Sequence, residues 1–578
     1  SWADYDTSLI SAGGGVHPRT AKAITLSDEV REQLGIEARA LTPNELISAL
    51  LTAPVDLLWN GGIGTYVKAS TESNAEVGDR ANDSLRVDGG DLRCRVVGEG
   101  GNLGFTQKGR IEFALTGGLI HTDAIDNSAG VDCSDHEVNI KILLNEVVAA
   151  GDLTGRQRDE LLEEMTGEVA ALVLEDNYAQ NIALAVARDQ AAPMVNVHAR
   201  YVRSLELEGL INRELEDLPS PQEFVQRQMA GRGLTTPEFA VLLAYTKTTD
   251  IAEVLRSDLP EDPFVAHHLA EYFPSALRER FADRLGRHPL RREIIATRLV
   301  NQMVNRSGTS FDHRMSEETG APVPDITRAH FAARDIFALD EQWEAIEALD
   351  GIVVSDVQVG LFLELRRMVE RGVVWLLRHR RPPLDMAATV AAFGPVVADL
   401  SARYGEVVAA AKRPSVQDAA QHLTSAGVPA QLAERAAAWP LLHTSFDIIE
   451  VARARGRSAE DAASAYWGLF DRLDLAWVWD RIGALPRNDR WQSHARAALR
   501  DDLLAALRDL TDDVLRAGDV FSAPTELVER WRSGNDRAAE RAAKAFSEIR
   551  SGGVFDLATL SVALRQLRNL VLSSRPGA

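Results

Sequence analysis

Apolar positions along this 578-residue chain keep two different rhythms. As far as about residue 136 they come in short runs between glycine clusters. After that they recur every three or four residues, the spacing of one helix face. In the first part, residues 6–11, 55–59, 95–98 and 119–121 read as strands, the first running into Gly13-Gly14-Gly15. Thr42-Pro43-Asn44-Glu45 is a capping box with proline at the first helical position, which predicts a helix to about residue 51. A second helix is predicted over 107–115. Strands alternating with helices predict a parallel sheet with crossover connections.

From Glu137-Val138-Asn139-Ile140 onward the pattern is helical, with Ile140, Leu143, Leu144, Val147 and Val148 on one stripe. Thr236-Pro237-Glu238 opens another helix. Leu290, Ile294, Ile295, Leu299 and Met303 keep the spacing after Pro289, as do residues 352–377 and most of 395–570. The expected fold class is therefore α/β over residues 1–136, followed by a large all-α region over 137–578, subdivided near a polar loop at 307–324.

Composition narrows the function classes. Hydrophobic residues make up 45% and charged residues 26%, as in a globular protein, and no apolar run approaches a membrane span. A net charge of −22 disfavours nucleic acid, whose phosphates require a basic face. Cys94 and Cys133 are too few for a disulfide framework and fit no zinc spacing, so a reducing cytoplasm and no metal are expected. No positively charged start precedes an apolar core, so no secretory leader is expected either. Only seven of the basic residues are lysines; codon bias accounts for the arginine excess, and clusters such as Arg378, Arg380 and Arg381 read as solvated helix surface.

Candidate chemistry sits at strand ends. Trp59-Asn60-Gly61-Gly62, Glu99-Gly100-Gly101-Asn102 and Asn127-Ser128-Ala129-Gly130 each follow an apolar run. In an open parallel sheet, ligands bind outside the carboxyl ends of the strands. Glycines there let a flat ligand reach the backbone, and asparagine amides both donate and accept. Each run alone reads equally as a tight turn; three in order favour a ligand. No Gly-x-Gly-x-x-Gly turn opens a helix, so a pyrophosphate-binding half is not found. Ser134-x-x-Glu137 reads as a capping box, whose helix N-terminus would face either nothing or a substrate carboxylate. His136, in that first turn, reads as structural.

These residues carry a family resemblance. Val55-Asp56-Leu57-Leu58-Trp59-Asn60-Gly61-Gly62 resembles the strand ending in Pro-Ala-Ala of amino-acid dehydrogenases. Val97-Gly98-Glu99-Gly100-Gly101-Asn102 is similar to their Glu-Gly-Ala-Asn segment. Asn127-Ser128-Ala129-Gly130-Val131, with Ser134 and Glu137, resembles Asn-Ala-Gly-Gly-Val-x-x-Ser-x-x-Glu. Trp59-Asn60-Gly61-Gly62-Ile63-Gly64-Thr65-Tyr66-Val67-Lys68 and the helical extension resemble the large bacterial NAD-specific glutamate dehydrogenases.

The resemblance implies a partial Rossmann-like sheet that binds NAD. It implies that Asn60, Gly61 and Gly62 flank the nicotinamide ribose, that Asn102 bonds that sugar, and that Asn127 meets the carboxamide. Val131 would line the substrate pocket and Ser134 would contact the side-chain carboxylate of L-glutamate. The implied reaction is L-glutamate, NAD and water to 2-oxoglutarate, ammonium and NADH, in a cytoplasmic homo-oligomer, tetramer or hexamer. No catalytic residue is assigned in this chain: Lys22, Lys68, Lys108 and Lys141 match no catalytic position. The family's catalytic lysine and aspartate are expected ahead of Ser1, leaving the chain silent by itself. Two other readings stand beside this one, a dehydrogenase of another amino acid and a non-catalytic helical scaffold. Ser134 favours glutamate over an apolar side chain, which would leave its hydroxyl unpaired.

Overall fold

A computed structural model describes residues 4–11, 13–486, 489–518 and 522–574. The chain divides into two compact units, before and after the Ser310–Phe311 bond.

In the first unit, strand Leu57–Asn60 lies parallel to Val96–Glu99, with Asn60 opposite Glu99. Val96 also bridges Leu119 in parallel. Helix Gln107–Leu115 crosses between those last two segments, capped by Thr106, whose hydroxyl accepts from the Gly109 amide. Val67–Lys68 pairs in parallel with Val87–Asp88, and Ile24–Thr25 antiparallel with Ala40–Leu41. Val97, Val67, Leu92, Cys94, Phe105, Phe113 and Ile120 form the core beneath the main strands. Period-two alternation puts Val97 and Glu99 inside and leaves Val96 on the other face with Leu57 and Trp59, which are exposed.

The capping box at Thr42 and Glu45 starts helix Pro43–Leu51 as its sequence dictates. Two local expectations fail. Residues 6–11 form a 3-10 turn, Thr7–Leu9, because the Asp6 carboxylate accepts from the Ser8 amide and outcompetes strand pairing. The helix expected to open at Glu137 is Ser128–Ala149, running through residue 136 without a break. Helix Gly155–Asp189 packs beside it, and Thr236–Arg256 and Arg291–Ser307 pack on Gly155–Asp189 and on each other.

The second unit is helical throughout its described residues. The polar stretch expected to be a loop contains helix Phe311–Thr319, and breaks come only at its ends, as at Gly308 (φ 102°). Phe337, Trp375, Phe393 and Phe446 pack ring against ring around helix Ser355–His379. No helix among the described residues is long and apolar enough to cross a membrane.

His330 lies buried between Phe311 and Phe331. Burial, with Arg334 adding to it, pushes its pKa down to about 3. An unfolded histidine titrates near 6.5, so below that pH the unfolded chain binds a proton that the folded unit refuses. Stability is therefore full above pH 6.5 and falls with acidification by about 1.4 kcal/mol per pH unit toward pH 3. Buried His443 acts with the same sign. The melting temperature should drop between pH 7 and 5, and His330→Gln should reduce that drop; an unchanged slope in the variant would contradict this origin.

Candidate nucleotide and substrate site

The carboxyl ends of the two central strands build one corner. The Gly101 amide donates to the Asn60 carbonyl over 3.0 Å. A Cβ on Gly101 would lie 2.5 Å from the Gly62 carbonyl oxygen, so the two loops touch backbone to backbone. A Cβ on Gly104 would fall 1.6 Å from the Asn60 side-chain nitrogen, and glycine alone leaves that amide its place. The same nitrogen is buried and makes no hydrogen bond.

Charged groups hold the second loop from below. Glu99 is 0% exposed, and Arg110 grips it through Nε (2.7 Å) and Nη2 (2.9 Å). Burial raises the Glu99 pKa, opposed by this forked contact. Arg110 also lies 3.2 Å from Asp123. Asp123 accepts from the Leu103 amide, and Asp126 from the Glu99 amide, at 2.7 and 2.8 Å. The loop is thus fixed at both ends. At its rim, Asn127 Nδ2 donates to Asn102 Oδ1 over 2.5 Å, which joins two residues that sequence placed on one ligand.

Asn127, Val131 and Ser134 follow at i, i+4 and i+7, one stripe that spans about 10 Å along the helix. Val131 is 67% exposed and Ser134 is exposed. Ser134 is not the cap its motif resembles: its hydroxyl donates to the Gly130 carbonyl from within the helix. The real start is held by Asn177, which donates to the Ile125 carbonyl (2.8 Å) and to the Ser128 hydroxyl (2.9 Å). Of the lysines weighed from sequence, Lys68 pairs with Asp88, Lys141 with Glu137, and Lys108 lies 3.7 Å from Asp217.

The opposite face of the same helix carries a cluster that sequence reasoning missed. Asp132 and His136 lie against Asp176. Lys247 and Arg298 act on Asp132 and Asp176 electrostatically. Burial, with Asp176 and Asp135 adding to it, pushes the Asp132 pKa up to about 7. Burial also takes His136 down to about 4 and Lys247 down to about 8. Only the i, i+4 spacing of Asp132 and His136 was visible in the sequence.

The comparisons agree on one family. Residues 1–187 match a model described as bacterial NAD-glutamate dehydrogenase, catalytic domain, and residues 231–569 match one described as glutamate dehydrogenase, C-terminal. Over its whole length the chain is 45% identical to the NAD-specific glutamate dehydrogenase of Mycobacterium tuberculosis and 45% identical to that of Pseudomonas aeruginosa. To that of Halomonas elongata it is 43% identical over 99% of its length. In each case the chain spans 36% of the relative.

Proposed function

The chain belongs to the bacterial NAD-specific glutamate dehydrogenase family, and from that membership we propose that its strand-end corner is the nicotinamide side of an NAD-dependent site oxidising L-glutamate. The overall change is L-glutamate, NAD and water to 2-oxoglutarate, ammonium and NADH. The observation that carries the reading is the convergence of five residues: Asn60, Gly61 and Gly62 meet Asn102 through the Gly101 contact, and Asn102 bonds Asn127. The parallel strands behind them fit a partial Rossmann-like sheet.

The donor set suits a nicotinamide ribose and carboxamide. Asn60 offers a buried, unpaired amide nitrogen, and the backbone at Gly61, Gly62 and Gly101 carries no Cβ to hold a ring away. NAD, when bound, supplies the hydride acceptor; the protein supplies orientation. Asn127 and Asn102, already bonded to each other, keep their remaining amide groups for sugar and carboxamide. Val131 and Ser134 continue the stripe away from Asn127, where Val131 meets the substrate's carbon chain and Ser134 its distal carboxylate. Proton transfer is assigned to no residue of this chain.

Glutamate-dependent NADH formation by the complete enzyme, with leucine and phenylalanine as competitors, tests the substrate. Ser134→Ala should raise KM for glutamate about tenfold, the loss of one hydrogen bond to a charged group. Its melting temperature should barely move, because Ser134 caps nothing. Equal glutamate kinetics in the variant would remove Ser134 from the site, and preference for leucine or phenylalanine would overturn the substrate.

A further inference from the structure

Beneath the Val131–Ser134 stripe, the far face of helix Ser128–Ala149 holds an arrangement the dehydrogenase reading leaves unused. We propose that Asp132, His136 and Asp176 bind a divalent transition-metal ion of the zinc or manganese kind. Asp132 and His136 share a helix face at i, i+4, and Asp176 arrives from helix Gly155–Asp189. One ligand atom from each lies within 4.8 Å of the others.

The histidine is the second observation. His136 is 1% exposed, and both its ring nitrogens are buried without a hydrogen-bond partner. Asp132 Oδ2 is unpaired as well. Buried polar atoms normally find partners, so an imidazole without one, whose Nε2 lies on the Asp132 side, marks a missing partner. Tyr272 stacks on the His136 ring at 4.2 Å and 10°, which fixes the ring plane and leaves its edge open. His136 Nε2 lies 3.9 Å from Asp132 Oδ1, too far for a hydrogen bond. Two ligands of one ion with bonds of about 2.1 Å are separated by about 3.0 to 4.2 Å, and 3.9 Å falls in that range.

One imidazole and two carboxylates suit zinc or manganese better than magnesium or calcium, which favour oxygen alone. Lys247 and Arg298 also face the two carboxylates. Arg298 is shared with Glu271 at 3.9 Å, so the Lys247 ammonium is the main rival occupant. The ion would tie the helix carrying Val131 and Ser134 to its neighbour, a positioning role outside the chemistry.

The test is equilibrium dialysis of the chelator-stripped enzyme against zinc or manganese chloride, with metal analysis and thermal melting. One ion per chain and a raised melting temperature are expected in the wild type. His136→Gln and Asp176→Asn should each abolish that stoichiometry. Lys247→Met removes the rival charge and should tighten binding about tenfold. The proposal is overturned if neither the wild type nor Lys247→Met binds an ion, or if the ion survives Asp176→Asn. It is also overturned if the ion is lost in His267→Gln, which would move it to the group His267, His268 and Glu271.

Discussion

Arg110→Met should lower the unfolding free energy of the first unit by about 3–5 kcal/mol, the largest single loss expected in the site region. The cost arises in the residue left behind. Glu99 has no exposed surface and receives two hydrogen bonds from Arg110. Without them a carboxylate stays buried unpaired, or takes up a proton to avoid it. The double variant Glu99→Leu with Arg110→Met should recover most of the loss, since replacing both partners by apolar groups is often nearly neutral. Denaturant titration of the three proteins decides the matter. A single-variant loss under about 1 kcal/mol, or a double variant no better than the single, would show that the pair does not hold the loop.

Gly101→Ala should have the largest effect on catalysis. The added Cβ would stand 2.5 Å from the Gly62 carbonyl oxygen and 3.1 Å from the Gly62 carbonyl carbon. Both are backbone atoms, so no side chain can swing away, and the two loops must part by close to about 1 Å. That costs about 1–3 kcal/mol in stability. A misplacement of that size between the groups proposed to hold the cofactor should lower kcat/KM of the complete enzyme by about a hundredfold. Gly130→Ala is the internal control for stability. Its Cβ would meet nothing within 4 Å, and it lies inside a helix, so the substitution should be neutral or stabilising by up to about 1 kcal/mol. Wild-type NAD kinetics in Gly101→Ala would contradict the contact between the loops.

Gly101 also shows how the sequence could be read and where it could not. The segment it belongs to was legible by its resemblance to Glu-Gly-Ala-Asn, as was Asn60-Gly61-Gly62 by its place opposite Pro-Ala-Ala. That the two segments touch one another needed the structure: a chain that brings the Gly62 backbone this close leaves no room for a methyl group at 101. Caps read well where the bonds are local, as at Thr42 with Glu45. The start of helix Ser128–Ala149 did not, because Ser128, Gly130 and Asp132 are weak helix formers and Ser134-x-x-Glu137 imitates a cap. Asn177, from the next helix, ties down that earlier start by donating to the Ile125 carbonyl and the Ser128 hydroxyl, a link no local motif announces. The same physics hid the Asp132, His136 and Asp176 cluster. Its members are ordinary surface-type residues until helix packing buries them together, and no spacing along the chain records that.

The central claim is that the strand-end asparagines hold NAD, and the apparent KM for NAD of Asn102→Ala in the complete enzyme tests it most directly. Loss of one hydrogen bond to the sugar, together with the support Asn102 receives from Asn127, should raise that KM about five- to tenfold while the melting temperature stays close to wild type. An unchanged KM for NAD in a folded, active variant would contradict the account and leave these loops as turns.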